Sequence, residues 1–274
     1  TFHGFKNNKF TLKGLTILSD LNGKKFEELT EELQDNFLSR TVTIIKILRE
    51  SQKDIKFEVF VRLNRGSVKL NEQELRNCIY RGNFNDLIKE LTENKDFLIL
   101  QGLDEPHNRM LDSERILRFF AFCDNGEKNY KSPLKKFLND YMEKKRNLSV
   151  SESEEKRKLF KKCVELCHQV FGKELAFVRY YIGDKDNLKG EIDTKINEGL
   201  VDIQLYGFME YEKRDLVSKE QVIRDSFLDL ITSDKEMIES IEKGTYGTPQ
   251  VKLRTEKWFK ALRQIVGYPK NDKR

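Results

Sequence analysis

Apolar residues recur at helical spacing in the first half of the segment 54–82. Ile55, Val59 and Leu63 are four residues apart and predict one buried face of a helix. The polar turn that follows contains Gly66, which suits the left-handed conformation in which many helices end. The pattern therefore predicts a helix that ends just before a tight turn.

The second half of the same segment predicts another helix. Asn71 is followed three residues later by Glu74, which is the spacing of a capping box at a helix N-terminus. Gly82 is expected to close this helix, because glycine is common just past a helix end. The local patterns agree with one another, so the whole segment is interpreted as two helices joined by a turn.

The remaining chain is predicted to be mostly helical. Residues 41–48 are rich in β-branched side chains and predict the one strong strand, which is expected to belong to a small sheet. Periodicity and capping residues predict helices over 30–38, 84–91, 154–171 (stopped by Gly172) and 193–208, and helices opened by Asp112, Pro133, Ser218, Ser233 and Pro249.

Composition narrows the class of protein without naming a partner. The 274 residues include 51 Lys and Arg against 46 Asp and Glu, and the resulting net charge of +5 permits a nucleic-acid partner without requiring one. No apolar run is long enough to span a bilayer, and no signal peptide opens the sequence. The four cysteines lie in apolar helical settings without a disulfide-like pattern. We therefore expect a cytoplasmic protein with no membrane partner.

The polar residues within the segment 54–82 are unusual for a solvated helix surface. Such a surface is typically rich in Lys and Glu, whereas these side chains carry planar groups that make directional hydrogen bonds. In one interpretation they cap the helix ends and stabilise the turn. In the other they lie beside a polyanion or nucleotide pocket. They are Arg62, Asn64, Arg65, Gln73, Arg76 and Asn77.

Several short motifs here occur together in one known family. Residues 60–64, FVRLN, match an FxxxN motif, and the run QELRN follows at residues 73–77. With residues 10–33, the stretch Glu105–His107 and the stretch Leu117–Phe120, they resemble the ParB/sulfiredoxin-like domain of the GmrSD-type modification-dependent restriction endonucleases. The resemblance implies a fold with a small sheet and a role in restriction and phage defence.

The resemblance also implies roles for individual residues. His107, in a loop before a helix, is a further candidate for the same site, although a lone loop histidine is usually structural or solvated. The implied roles in the motif are helix packing by Phe60, a hydrogen bond within a pocket from Asn64, phosphate binding by Arg62, Arg65 and Arg76, the turn at Gly66, and orientation of neighbouring groups by Gln73 and Asn77.

One motif of the family is absent from these 274 residues. The DGQQR motif, associated in the family with nucleotide-dependent nuclease activity, lies upstream of the aligned region. We expect it in a segment that precedes Thr1, so no catalytic residue is assigned. The resemblance implies a nucleoside triphosphate and Mg²⁺ or Mn²⁺ as cofactors. DNA, the missing N-terminal segment or a partner chain, and a second copy of this chain are the expected partners.

Two other groups of residues carry candidate chemistry. Two thiols four residues apart on one helix, beside a histidine, offer zinc ligands, but a closed site needs four, so buried thiols are the preferred interpretation. The last helix carries a row of cations with aromatic residues among them, which predicts either a DNA contact or, preferentially, a solvated face over an aromatic core. The residues are Cys163, Cys167 and His168, and Lys252, Arg254, Lys257, Lys260 and Arg263.

The sequence as a whole predicts an α+β protein. Residues 1–110 are interpreted as part of a ParB/sulfiredoxin-like domain with a small sheet, and residues 111–274 as a mostly α-helical domain. The predicted function is that of a component of a restriction or anti-phage defence system, as a nucleotide-dependent DNA nuclease whose catalytic segment precedes this chain. The alternative is a non-catalytic module that binds DNA, a nucleotide or a partner protein.

Overall fold

A computed structural model describes residues 2–41, 59, 69–181 and 191–269. The chain divides into two compact units, Thr1–Gln52 and Lys53–Arg274. The domain boundary at residue 110 that the sequence analysis proposed rests on family motifs and stays a prediction. The predicted strand 41–48 and the first helix of the segment 54–82 lie outside the described residues, apart from Val59, which is helical.

The first unit is a short helical segment around a small core. Its core consists of four buried apolar residues, among them Phe5 and Phe26. The helix predicted over residues 30–38 is confirmed, and the Thr30 side chain accepts a hydrogen bond from the Leu33 amide at its start. Its elements are α1 (Phe2–Lys6), two 3-10 turns (Ser19–Leu21 and Phe26–Glu28) and α2 (Glu31–Leu38).

The second unit is built mainly from helices, and its elements follow one another through short connections. They are α3 (Glu72–Ile79), α4 (Asn83–Thr92), α5 (Lys95–Gln101), α6 (Leu111–Asn125), a 3-10 turn (Glu127–Asn129), α7 (Leu134–Lys144), α8 (Val150–Leu175), β1 (Val178–Tyr181), β2 (Glu191–Ile196), α9 (Glu198–Gly207), α10 (Lys213–Leu216), α11 (Glu220–Ser233), α12 (Lys235–Glu242) and α13 (Thr248–Val266).

Aromatic side chains fill the core of the second unit. α6 runs through the middle of this core and packs against α4, α7 and α9. Phe119 and Phe120 of α6 both contact the ring of Phe160 on α8. At the other end, Trp258 of α13 meets Phe227 edge to face, with ring centroids 4.7 Å apart. The many phenylalanines of the sequence therefore supply much of this core.

The described sheet is a two-stranded antiparallel ribbon within the second unit. β1 pairs with β2 so that Val178 lies opposite Ile196, with an irregularity between Val178 and Tyr180. The helix predicted over residues 193–208 is wrong in its first part, because residues up to Ile196 form β2 and Asn197 caps α9. The described part of the chain is mostly helical with a small antiparallel sheet, which is consistent with the predicted α+β class.

Glycines mark two helix boundaries in different ways. The prediction that Gly82 closes α3 is wrong, because α3 ends at Ile79 and Gly82 is the N-cap of α4. A Cβ atom at Gly82 would collide with the carbonyl oxygen of Arg146, so close approach explains this glycine. Gly172 has a φ of 59° and interrupts the helical backbone of α8, as predicted.

Several predicted caps are displaced by one or two residues. The backbone turns into α6 at Met110, which has a left-handed φ of 56°, and Asp112 lies inside the first turn. The Asp234 side chain, rather than Ser233, accepts the capping hydrogen bond of α12 from the Met237 amide. Three further boundaries shift similarly: Lys219 rather than Ser218 precedes α11, Pro133 precedes α7, and Pro249 is the second residue of α13.

Candidate functional site

The start of α3 is fixed by a complete capping box. The Asn71 side-chain oxygen accepts hydrogen bonds from the amides of Gln73 and Glu74, both at 2.9 Å. In return, the Glu74 carboxylate accepts from the Asn71 amide at 2.7 Å. This reciprocal arrangement was predicted from the sequence and is confirmed. The N-terminus of the motif helix is therefore rigidly placed.

A loop from residue 105 to residue 110 is bonded to this helix start. The Asn71 side-chain amide donates to the carbonyl oxygen of Arg109 at 2.6 Å. The Arg109 guanidinium donates to the Lys69 carbonyl oxygen at 3.0 Å and forms an ion pair with Glu74, with Nε 2.8 Å from Oε1. We call this assembly, residues 69–74 and 105–110, the motif corner. It is held by both neutral and charged hydrogen bonds.

His107 lies in the motif corner with one ring nitrogen occupied. Its Nδ1 accepts a hydrogen bond from the Arg109 amide at 3.0 Å, and its own amide donates to the buried Asp112 carboxylate at 2.8 Å. The neutral ring therefore carries its proton on Nε2, where it can donate to an acceptor such as a phosphate oxygen. In this tautomer His107 is suited to hydrogen bonding rather than to metal ligation.

Arg76 is a buried clamp between three helices. The residue is only 2% exposed. Its Nη1 donates to Glu114 of α6 at 2.8 Å and to Gln73 at 3.0 Å, and its Nε donates to Asn139 of α7 at 2.9 Å. Gln73 is equally buried. These two predicted site residues are thus engaged inside the protein, where they join α3 to α6 and α7.

The other predicted motif residues fall into two groups. Asn77 accepts a hydrogen bond from the side chain of Asn85 on α4 at 2.9 Å, so it too makes a contact between helices. The roles of the central motif residues, and a cavity beside them, stay predictions. Those that lie outside the described residues are Phe60, Arg62, Asn64, Arg65 and Gly66.

Comparison with protein families bears directly on this region. Residues 1–81 match the family model of the GmrSD restriction endonuclease N-terminal domain. These residues, which are less than a third of the chain, are thus similar to a GmrSD-type domain. The match includes α3 and the first part of the motif corner, and it associates the chain with restriction-type nuclease systems. No curated protein and no solved structure matches the chain.

Beyond the GmrSD-type match lies a buried ionic cluster that the sequence analysis did not identify. Its centre is Arg118 of α6, which is 1% exposed. Arg118 donates to Asp202 Oδ1 from Nε at 2.9 Å and from Nη2 at 2.6 Å. It also donates from Nη1 to Glu198 Oε2 at 2.7 Å. A pattern in the sequence could have indicated it: Glu198 and Asp202 are four residues apart on an otherwise apolar helix.

The charges of this cluster attract one another, but burial opposes the charged form of each group, and at Asp202 burial prevails and raises the pKa of the carboxyl. Burial disfavours the charged form of Arg118, but Asp202 and Glu198 outweigh it and hold the pKa of Arg118 well above its ordinary value. Burial likewise raises the pKa of Glu198, but Arg118 and Arg115 outweigh that effect and lower it. Arg115 also donates to Gln101 at 2.6 Å. The cluster joins α5, α6 and α9 and serves a structural role in the second unit.

The predicted basic face of α13 is only partly available to a ligand. Arg254 is fully buried, where it donates to the Thr245 carbonyl oxygen and lies 3.4 Å from Asp202 Oδ2. Lys257 forms ion pairs with Asp234 at 2.6 Å and Glu236 at 2.8 Å. The other three predicted DNA-binding cations differ in exposure: Lys252 and Arg263 are half-buried and Lys260 is exposed. A DNA contact by α13 stays a prediction.

The cysteine pair on α8 is buried. Cys163 and Cys167 are both inaccessible to solvent, and burial raises the pKa of Cys163 to about 12. His168 instead contacts Asp96 of α5, with Nδ1 2.9 Å from Oδ1. Within the described part of the chain, no three His, Cys, Asp or Glu side chains are placed to hold a metal ion. The preferred interpretation of these thiols as core residues fits this placement.

No helix among the described residues is long and apolar enough to cross a membrane. The described helices that are longest, α8 and α13, both carry several charged residues along their length.

Proposed function

We propose that this chain acts in a restriction or anti-phage defence system as part of a nucleotide-dependent DNA nuclease. The observation that carries the proposal is the match of residues 1–81 to the GmrSD restriction endonuclease N-terminal domain. Included in the proposal are a ParB/sulfiredoxin-like fold for this part of the chain and a DGQQR segment that supplies the catalytic residues. The residues present here support that site and do not perform the chemistry.

In this proposal the motif corner positions the ligand-binding residues. Asn64, Arg62 and Arg65 precede the corner in the sequence and would contact the nucleotide through hydrogen bonds and phosphate pairing. His107 Nε2–H would donate to the same phosphates, because Nδ1 is occupied by the Arg109 amide. Arg76 takes a supporting role: its buried guanidinium holds α3 in place instead of binding phosphate.

A nucleoside triphosphate and Mg²⁺ or Mn²⁺ belong to this proposal through the family resemblance alone. Such a metal is commonly held by phosphate oxygens and water with few protein ligands. The described residues contain no group of three ligating side chains.

One structural feature favours a second candidate, a non-catalytic module that binds DNA, a nucleotide or a partner protein. Gln73, Arg76 and Asn77 all bond to groups within the chain, as residues of a structural corner would. In that case the chain recognises a ligand for another subunit, and self-association would appear as a dimer in size-exclusion chromatography with light scattering.

The deciding experiment uses the full-length gene product. DNA cleavage and nucleotide hydrolysis are measured with Mg²⁺ or Mn²⁺ and each nucleoside triphosphate in turn. We expect cleavage that requires one nucleotide, and an Asn64→Ala variant that loses most of both activities. Asn129→Ala, at an exposed position between α6 and α7, is the matched control and should retain both activities.

Two results would contradict the proposal. Absence of cleavage and hydrolysis with every nucleotide removes the enzyme role. If Asn64→Ala also binds DNA and nucleotides as the wild type does, the motif has no part in the non-catalytic alternative either.

A further inference from the structure

Residues 12–24 form a closed loop in the first unit. The Leu12 amide donates to the Lys24 carbonyl oxygen at 2.9 Å, and the Gly23 amide donates to the Leu12 carbonyl oxygen at 2.8 Å. Inside the loop the Asn22 side chain accepts from the Leu15 amide and donates to the Leu15 carbonyl oxygen, both at 2.9 Å. We call this segment the tip loop. Its conformation is fixed by its own hydrogen bonds.

The tip loop presents two large aliphatic side chains to solvent. Ile17 is 93% exposed and its neighbour Leu18 is 51% exposed. Leu21, by contrast, is buried in the small core and anchors the loop. Single exposed apolar residues are common on protein surfaces, but an adjacent pair at the end of a fixed loop indicates a contact surface.

Lysines flank this apolar tip in the sequence. Segment 6–25 contains five lysines and a single acidic residue, Asp20, so its net charge is +4. All five lysines are exposed, and none forms an ion pair with another residue among those the structure describes. They are Lys6, Lys9, Lys13, Lys24 and Lys25.

The acidic residues that follow this segment are already engaged. Glu27 accepts a hydrogen bond from the Asn8 side chain at 2.9 Å. Glu28 accepts one from the Lys25 amide at 2.6 Å. Both carboxylates are thereby held by polar groups of the chain, and the lysine side chains remain directed to solvent. Glu27 and Glu28 keep their negative charges in these bonds, so the excess of positive charge is confined to segment 6–25, where Asp20 is the single acidic residue.

We propose that the tip loop docks on duplex DNA, with its lysines on backbone phosphates and Ile17 and Leu18 wedged against the bases. This inference rests on the proposed function. Proteins that enter the minor groove combine cationic contacts with inserted Leu or Ile side chains that partly unstack a base step. Five residues separate Leu12 from Ile17, which is at most about 17 Å of chain, so the tip and its lysines fit within about half a helical turn.

The same chemistry suits an anionic lipid surface, where lysines and a small apolar tip can also bind. The charge of the loop alone does not separate the two partners. DNA is favoured because the tip loop lies wholly within the residues that match a restriction endonuclease domain. Lipid binding is accordingly an outcome that the test must detect.

The charge part of the proposal is tested with the full-length protein and a fluorescent duplex of about two helical turns. Lys13→Gln/Lys24→Gln/Lys25→Gln should weaken binding about tenfold or more. It should also reduce the slope of log K against log salt by about 2 to 3, because each phosphate contact contributes about 0.9. The control Lys128→Gln/Lys131→Gln/Lys158→Gln removes three exposed lysines elsewhere and should leave the slope unchanged.

The apolar part of the proposal has a different readout. Ile17→Ser/Leu18→Ser should keep the wild-type salt slope but weaken binding about tenfold. It should also abolish the rise in 2-aminopurine fluorescence that accompanies unstacking of a probe base in the duplex. Val150→Ser/Val217→Ser replaces two exposed valines in the second unit and should change neither quantity. Because all these side chains are exposed, the variants are expected to fold normally.

Several outcomes would overturn the inference. One is a lysine variant that keeps the wild-type affinity for DNA and the wild-type salt slope. Another is a control variant that loses as much affinity and slope as the lysine variant does. Retained unstacking in Ile17→Ser/Leu18→Ser would remove the wedge. Capture of the wild type by phosphatidylserine-containing vesicles, lost in that variant while DNA binding persists, would assign the loop to lipid. If the lysine variant and the Ile17→Ser/Leu18→Ser variant bind DNA with wild-type affinity and still cleave it, the loop inference fails and the nuclease function stands. If the wild type neither binds nor cleaves DNA, both proposals fail.

Discussion

At the scale of single residues, the most consequential side chains are buried arginines. Arg118 directs its guanidinium to two carboxylates and a backbone carbonyl, and almost no part of it reaches solvent. An arginine fork suits this role because it is planar and presents several donors in fixed directions. Removing such a residue leaves a buried carboxylate without its main partner, which costs far more than losing an exposed pair.

Replacement of Arg118 by methionine should therefore lower the free energy of unfolding by about 3–5 kcal/mol. Arg118→Lys keeps the charge but not the fork and should fall between this variant and the wild type. The comparison is Arg157→Met, which breaks a more exposed ion pair with Glu90 and should cost about 0–1 kcal/mol. Urea denaturation measures all three. Equal losses for Arg118→Met and Arg157→Met would show that the buried cluster contributes no special stability.

The periodicity of α13 predicts that Arg254 is buried, although the sequence analysis placed this arginine on a basic surface. Arg254 lies four residues before Trp258 and three after Val251, on the face of α13 that the structure buries. The pattern was thus sufficient to place its side chain inside. What the sequence could not supply was its partner, since Asp202 is 52 residues away and meets it only through the packing of α9 against α13.

At the scale of elements, the motif corner shows how a helix start can be fixed twice. Asn71 uses its side-chain oxygen to cap α3 and its side-chain nitrogen to hold the loop that carries His107. The capping box was predictable because all its members lie within four residues of one another. The loop contact was not, because it joins residues 38 positions apart.

Substitutions at Asn71 should separate these two functions. Asn71→Ala removes the two capping bonds and the loop bond, so we expect the free energy of unfolding to fall by about 0.5–2 kcal/mol. Amide hydrogen exchange should become faster at Gln73, Glu74 and the loop 105–110. Asn71→Asp keeps the capping oxygen but cannot donate to the Arg109 carbonyl, so exchange should rise in the loop alone. Hydrogen exchange with mass spectrometry resolves the two segments. Equal changes at both segments in Asn71→Asp would show that the cap and the loop are a single cooperative unit.

The β-ribbon was missed at this same scale. Residues 193–208 contain apolar positions that fit a helix in their second half, and α9 indeed occupies it. The first part of the range instead pairs with β1, a partner that lies before a segment outside the described residues. Strand pairing depends on a non-local partner, so a local pattern of this length does not decide between the two structures.

At the scale of the whole molecule, charge and core composition have different predictive value. The 19 phenylalanines of the sequence agree with the aromatic core of the second unit, because burial of aromatic side chains depends little on chain order. The near balance of 51 basic and 46 acidic residues hides a local excess of lysine in segment 6–25. Lysines dominate the segment around the tip loop, whereas arginines and carboxylates are paired within the second unit. Net charge alone could not reveal this arrangement.

The pairing within the second unit implies acid sensitivity with a definite sign. Burial raises the pKa of Glu198, but the charges of Arg118 and Arg115 outweigh burial, so the pKa is lowered. The pKa of Asp234 is also lowered, chiefly by the hydrogen bond from Lys257. In the unfolded chain these groups bind protons near pH 4, whereas the folded protein keeps them charged to lower pH. The unfolded state then binds more protons, so the stability these groups provide is complete above about pH 5 and declines as the pH falls toward about 3.

We therefore expect the melting temperature to be nearly constant from neutral pH down to about pH 5 and to fall progressively below it. Glu198→Gln/Asp234→Asn should melt at a lower temperature than the wild type at neutral pH but lose less between pH 5 and pH 3. Calorimetry across this range measures the difference. Asp140→Asn, at an exposed intrahelical pair with Lys136, is the control and should follow the wild-type curve. An identical acid dependence in the wild type and the double variant would mean that other carboxylates govern the acid stability of this protein.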